Sequence, residues 1–268
     1  MNNRANNFIP PMIIMRRDCA YTYTCGVDDD AQSWITPEVL RRSNALVIHD
    51  PDRCILSTFA TTLCGNDYVL KPFNLSNVGS SMRYNPLVYV KDSTGVSKLA
   101  AAIISGTKGS GKPGDIDFVV CETMLLDALI SYLHYETPEH EQNIKMLIEI
   151  LEHMIINDYQ EGDVSAVDIL FEEKGNNEPW NTSVLLYDEF MDAVGGSGHA
   201  IHIAKSCIAR LAPLNTPEMI DFMSRDELRL DNLTFPNTAL FVIDGKAKED
   251  IKFLVPLMYS QLYDALYQ

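Results

Sequence analysis

The chain has 268 residues, 46% hydrophobic and 22% charged, which is enough to bury a substantial core and too apolar for disorder. Its 21 Lys and Arg face 37 Asp and Glu, and a net charge of −16 leaves few cations to neutralise phosphates, so direct nucleic-acid binding by this chain is not expected. Six cysteines form no CxxC pair, which argues against a zinc site or a disulfide scaffold and for reduced thiols.

The first apolar stretch, Ile9 to Met15, is too short for a bilayer span and is interrupted by two prolines. No other run approaches the ~18–20 apolar residues a span requires, and no signal peptide is complete. No membrane span is expected, and the chain reads as cytoplasmic. Cys19 to Cys25, Ala45 to Asp50 and Tyr68 to Leu75 carry the Tyr, Thr, Val and Leu of strands. Between the first two, Thr36-Pro37-Glu38 is a helix start: Thr caps, Pro takes the first turn and Glu complements the dipole. Strand, helix, strand predicts a parallel βαβ unit and an α/β sheet.

From Ser93 to Thr234 the pattern turns helical. Met124, Leu125, Ala128, Leu129, Tyr132 and Leu133 recur at helical spacing. A second Thr-Pro-Glu start at Thr137 precedes the stripe Ile144, Leu147, Ile148, Leu151 and Ile155. Further helices are predicted over Val164 to Glu173, Thr182 to Val194 and His199 to Leu211, with a third Thr-Pro-Glu start at Thr216. Thr238 to Asp244 then reads as a buried strand and Ala247 to Tyr267 as a closing helix. The expected organisation is one α/β domain from residues 1–92 and 235–268, with an all-helical domain, 93–234, inserted into it.

Two nucleotide-like motifs fail on physical grounds. Gly106 to Pro113 approaches GxxxxGK[ST], but Pro113 replaces the magnesium-holding hydroxyl. It also follows a helix, Val96 to Ser105, where a phosphate loop follows a strand; a flexible surface loop is expected instead. Val184 to Glu189 imitates an apolar strand ending in an acidic pair. Leu186, Phe190 and Val194 recur every four residues, however, and Gly195-Gly196 supplies a stop, so an amphipathic helix is expected. His199 and His202 lack a third ligand nearby, and no catalytic constellation stands out.

Leu46 to Asp52 (LVIHDPD), Val69 to Leu75 (VLKPFNL) and Tyr84 to Leu87 (YNPL) together resemble the TraG-like coupling proteins of conjugative type IV secretion. Leu126 to Tyr135, Ser206 to Glu218 and Phe241 to Tyr267 continue the resemblance in the right order. It implies a partial RecA-like, P-loop NTPase-type parallel sheet with the all-helical domain inserted. It also places a degenerate nucleotide site at Gly26, Asp30, Ala31 and Asp50. There the family's phosphate lysine falls at Asp30 and its magnesium hydroxyl at Ala31, and its Lys-Gly-Glu after Asp-Pro is here Asp52-Arg53-Cys54. The membrane-spanning N-terminus and the strand bearing the family's second acidic motif are not found in the chain.

The implied function is a non-catalytic component that binds a protein of the conjugation machinery or relaxosome through its helical domain. Such a partner could also hold it at the inner face of the membrane. The alternative is an ATPase subunit, with ATP and magnesium, completed by another chain; a third reading is a remnant of a mobile element. Asp28, Asp29 and Asp30 either cap a helix or bind a divalent cation. The closing helix, with Phe253, Leu254, Leu257, Met258, Leu262 and Leu266, is expected to leave an apolar face exposed for docking.

Overall fold

Ala45–His49 and Thr238–Ile243 are nearly unbroken apolar runs, the pattern of strands covered on both faces. The computed structural model describes residues 12–16, 19–23, 45–110, 116–155, 164–234 and 237–267, and it makes both runs central. Five strands, β1 (Met12–Arg16), β2 (Cys19–Tyr23), β3 (Ala45–His49), β4 (Val69–Asn74) and β5 (Thr238–Ile243), form one sheet in the order β2-β1-β3-β5-β4. β3, β5 and β4 are parallel, with Ile48 and Pro72 both in register with Phe241. β1 runs antiparallel to both neighbours, Ile14 pairing with Leu46 on one side and Tyr21 on the other.

The sheet is therefore mixed, which corrects the expectation of a parallel sheet. The run MIIMR shows no alternation, and in sequence it stands out only as a short apolar segment. As β1 it separates β2 from β3, so those two strands do not pair as a βαβ neighbour couple. The helix expected from Thr36 lies outside the described residues. A βαβ crossover does run from β3 through α1 (Cys54–Gly65) to β4, and β5 occupies the place between its strands. Phe59 and Leu63, four apart on α1, pack with Leu46, Ile48, Tyr68, Ala239, Phe241 and Ile243 in one core. Each large apolar side chain buried this way contributes roughly 1.5–3 kcal/mol.

The chain divides into two compact units. One comprises the described residues up to Met82, Glu227–Lys248 and those from Met258 onward; the other is Arg83–Asp226 with Glu249–Leu257. The helical unit thus starts at Arg83 rather than at 93, yields 227–234 to the sheet unit and takes 249–257. It contains α2 (Ser93–Gly106), α3 (Ile116–Glu136), α4 (Ile144–His153), α5 (Ala166–Asn177), α6 (Thr182–Val194), α7 (Ser197–Leu211) and α8 (Pro217–Phe222). α9 (Leu254–Tyr267) closes the chain.

Side-chain caps fix several of these starts. Asp92, Asn143, Asn181 and Thr216 accept from backbone N–H groups of α2, α4, α6 and α8, and Ser165 forms a full capping box with Asp168 on α5. The Thr137 start yields only a 3₁₀ turn at Glu139–Glu141, and α4 begins later, under Asn143. Its predicted stripe is nonetheless buried at Ile144, Leu147, Ile148 and Leu151.

α3 packs against α2, α4, α6 and α7, so Leu125, Leu126, Ala128, Leu129, Ile130 and Leu133 are all buried. Its segment Asp117–Glu136 is long and apolar enough to cross a membrane by length and composition, contrary to the expectation that no run qualifies. Here it is the central helix of its unit. The closing-helix stripe brings a further correction: Phe253, Leu254, Leu257, Met258 and Leu262 are buried and Leu266 is half-buried. The expected exposed docking face is core.

Candidate functional site

Open α/β sheets bind ligands beyond the carboxyl ends of their parallel strands. In this chain those ends carry His49 and Asp50 at the end of β3, Asn74 and Ser76 at the end of β4, and Asp244 and Gly245 after β5. Asp50 is the single residue of the expected nucleotide set that lies among the described residues; Gly26, Asp28, Asp29, Asp30 and Ala31 lie outside them.

Asp50 is buried, and both its oxygens are engaged. Ile55 N–H donates to Oδ1 at 3.1 Å and Leu56 N–H to Oδ2 at 2.7 Å, so the carboxylate holds the first turn of α1. Its own N–H donates to Val242 O at 2.8 Å, carrying the β3–β5 pairing one residue further. The turn between Asp50 and α1 passes through Arg53 at φ 61, the left-handed region that favours glycine. That is the position where the resembling family has the Gly of Lys-Gly-Glu.

The loops around this edge hold one another. His49 Nε2 and Asp244 Oδ1 lie 2.9 Å apart, both largely buried. Gly245 N–H donates to Pro51 O at 3.1 Å, and a Cβ at 245 would stand 2.8 Å from that oxygen, so only glycine fits this approach. Lys246 N–H donates to Ser76 Oγ at 2.9 Å. Asn74 accepts from Asn77 N–H through Oδ1 and donates through Nδ2 to Ser80 Oγ. Asp52, Arg53 and Lys246 remain exposed and could meet a ligand. Sequence reasoning gives His49 no role and misses Asp244; each follows an apolar run at a strand end, which is the signal that could find them.

In the helical unit, the nucleotide-like loop after α2 has a different purpose. Glu122 on α3 is fully buried, and Arg210 on α7 donates to its Oε2 from Nε at 2.9 Å and from Nη2 at 2.6 Å. Ser206 Oγ donates to Glu122 Oε1 and accepts from Ser110 N–H at 2.7 Å. Arg210 Nη1 reaches Ile104 O and Thr107 O at 3.0 and 2.8 Å, satisfying carbonyls at the end of α2. A Cβ on Gly109 would stand 2.2 Å from Glu122 Oε1, and one on Gly106 the same distance from Phe253 Cβ. The glycines of this segment serve close packing rather than a phosphate. Its described part, up to Ser110, is tethered, which corrects the expected flexible loop. Removing one member of such a buried pair costs about 3–5 kcal/mol, because the other charge is left unpaired. Sequence reasoning misses the cluster, although Glu122 inside an apolar helix is its one local sign.

The acidic pair that imitates the end of an apolar strand is helical, as expected: Val184 to Glu189 lie in α6, which Gly195 ends at φ 70. Asp188 and Glu189 are exposed on it, as are His199 and His202 on α7. No group of three or more metal-ligating side chains is found among the described residues. A further polar line runs along α3, where Asp127 Oδ1, Ser131 Oγ and His134 Nδ1 are buried without a hydrogen-bond partner.

Residues 31–268 match the model of a family described as Type IV secretory system Conjugative DNA transfer. Among curated proteins, none matches the chain.

Proposed function

The chain belongs to the TraG-like family of type IV secretory conjugative DNA-transfer proteins, and from that membership we propose that it serves the transfer machinery as a non-catalytic component binding a protein partner through its helical unit. One observation carries the non-catalytic part. Asp50 turns each carboxylate oxygen towards a backbone N–H of α1, so its role in the fold is to hold that helix start. The sequence supports the same reading: Asp30 and Ala31 stand where the resembling family has its phosphate lysine and magnesium hydroxyl. On this reading the sheet unit is the descendant of a RecA-like ATPase domain, retained as a scaffold. The partner is a component of the conjugation machinery or relaxosome met on the cytoplasmic side of the membrane.

A second reading, an ATP-binding subunit completed by another chain, draws on the His49–Asp244 pair and on exposed Asp52, Arg53 and Lys246 at the strand ends. Calorimetric titration with magnesium-ATP separates the two. The expected result is no binding heat and no ATP hydrolysis above background. Micromolar binding that disappears in Asp244→Ala would sink the first reading and support the second.

A further inference from the structure

Trp180 is 86% exposed, in the short turn between α5 and α6. Its place is conspicuous because Asn181 caps α6, which puts Trp180 just before the cap and Leu185 at the fourth helical position. Apolar residues at those two positions normally pack on each other as a hydrophobic staple. Leu185 is 46% exposed, and an indole left 86% exposed makes no such contact. The turn itself is well held. Asn181 Nδ2 donates to Glu136 Oε1 at 2.6 Å, at the end of α3, and Lys174 Nζ pairs with the other oxygen of Glu136 at 2.5 Å. Tyr135, next to Glu136, is 47% exposed. A fixed turn thus presents a large aromatic side chain to solvent, with exposed Leu185 on α6, which it opens, and exposed Tyr135 at the end of α3, to which it is bonded through Glu136.

The surroundings are acidic. Asp188, Glu189 and Asp192 follow Leu185 at three, four and seven positions, so they share its face of α6, and all three are exposed. Glu178, two residues before Trp180, is exposed as well, and α6 carries no Lys or Arg. The nearby cation Lys174 is already paired with Glu136 and Glu178.

We propose that this face, the Trp180 turn with the Leu185–Asp192 side of α6, binds a basic polypeptide segment of a partner. Carboxylates would pair with its Arg and Lys side chains, and a guanidinium would stack on the indole. Trp is one of the residue types enriched among the anchors of protein interfaces. Charge selects the occupant. A second copy of this chain would bring the same carboxylates and the same −16, and nucleic acid would be repelled. The inference rests on the partner-binding reading above and names the chemistry of that partner.

The test uses fluorescence anisotropy of a labelled twelve-residue peptide of alternating Arg and Leu, with a Gln-for-Arg peptide as control, titrated with the full chain. Binding of the Arg peptide alone is expected, weakening as salt rises. Trp180→Ala should weaken it about tenfold, and the triple variant Asp188→Asn, Glu189→Gln, Asp192→Asn by at least as much. The acidic pair Glu139→Gln, Glu141→Gln should leave it unchanged, and circular dichroism should show the same melting temperature for Trp180→Ala as for the parent. Affinity insensitive to Trp180→Ala, or lowered equally by the Glu139/Glu141 variant, would overturn the assignment of this face. The ATP titration is independent of that outcome, so failure here leaves the non-catalytic reading standing.

Discussion

Burial raises the Asp127 carboxyl from its ordinary 3.8 to about 6, and its Oδ1 has no hydrogen-bond partner. Desolvation disfavours the charged form, and nothing nearby compensates. A carboxyl whose folded value is raised binds its proton more tightly in the native state, so the penalty is absent below about pH 4 and complete above about pH 6. Asp127→Asn should therefore be more stable than the parent at pH 7, by about 1 kcal/mol once partial solvent screening is allowed for. Urea melts at pH 4 and pH 7 check this, since the gain should vanish at the lower pH. An equal gain at both would mean that packing rather than charge is responsible. Cys207 shows the same physics in a harmless setting: burial first, then the charge of Glu122, pushes its thiol up and keeps it protonated.

The β3–α1 junction shows what one element requires of its entry. Asp50 holds two backbone N–H groups of α1 from three residues upstream of the cap position, and the chain must turn sharply to bring it there. Arg53 makes that turn at φ 61 with no side-chain capping bond. A non-glycine residue in this region costs roughly 1–2 kcal/mol, offset in part by the chain entropy that glycine would lose on folding. Arg53→Gly should therefore stabilise the protein by about 0.5–1 kcal/mol, read as a rise in the urea midpoint with an unchanged slope. A loss of stability would show that the Arg53 side chain makes a contact outweighing the strain. α3 gives the opposite case, a largely buried helix whose Glu122 is tolerated because Arg210 and Ser206 reach it from α7.

For the whole molecule, the dominant physical fact is charge. At −16, the field around the protein disfavours phosphate backbones at any distance within the screening length, about 8 Å at physiological salt. Filter binding or anisotropy with duplex and single-stranded DNA at about 150 mM salt should show no sub-micromolar affinity. Tight binding that weakens steeply with salt would instead reveal a basic tract strong enough to overcome the mean charge. The same field favours the basic polypeptide inferred for the Trp180 face.

The sequence determined whatever is decided within one or two helical turns. The α4 stripe, the Thr216 cap and the helical nature of Val184 to Glu189 are legible because periodicity and capping act over three or four residues. Family membership is legible from short motifs in the right order. Tertiary structure alone decided the pairings between distant segments. β1 separates two strands expected to be neighbours, β5 enters between β3 and β4 although it lies far downstream of both in the chain, and Glu122 meets Arg210 across 88 positions. The fate of the α9 stripe belongs with these, since an apolar face is equally apolar in sequence whether core or solvent lies opposite. No local window contains the partner of such a contact, and burial is a property of the pair.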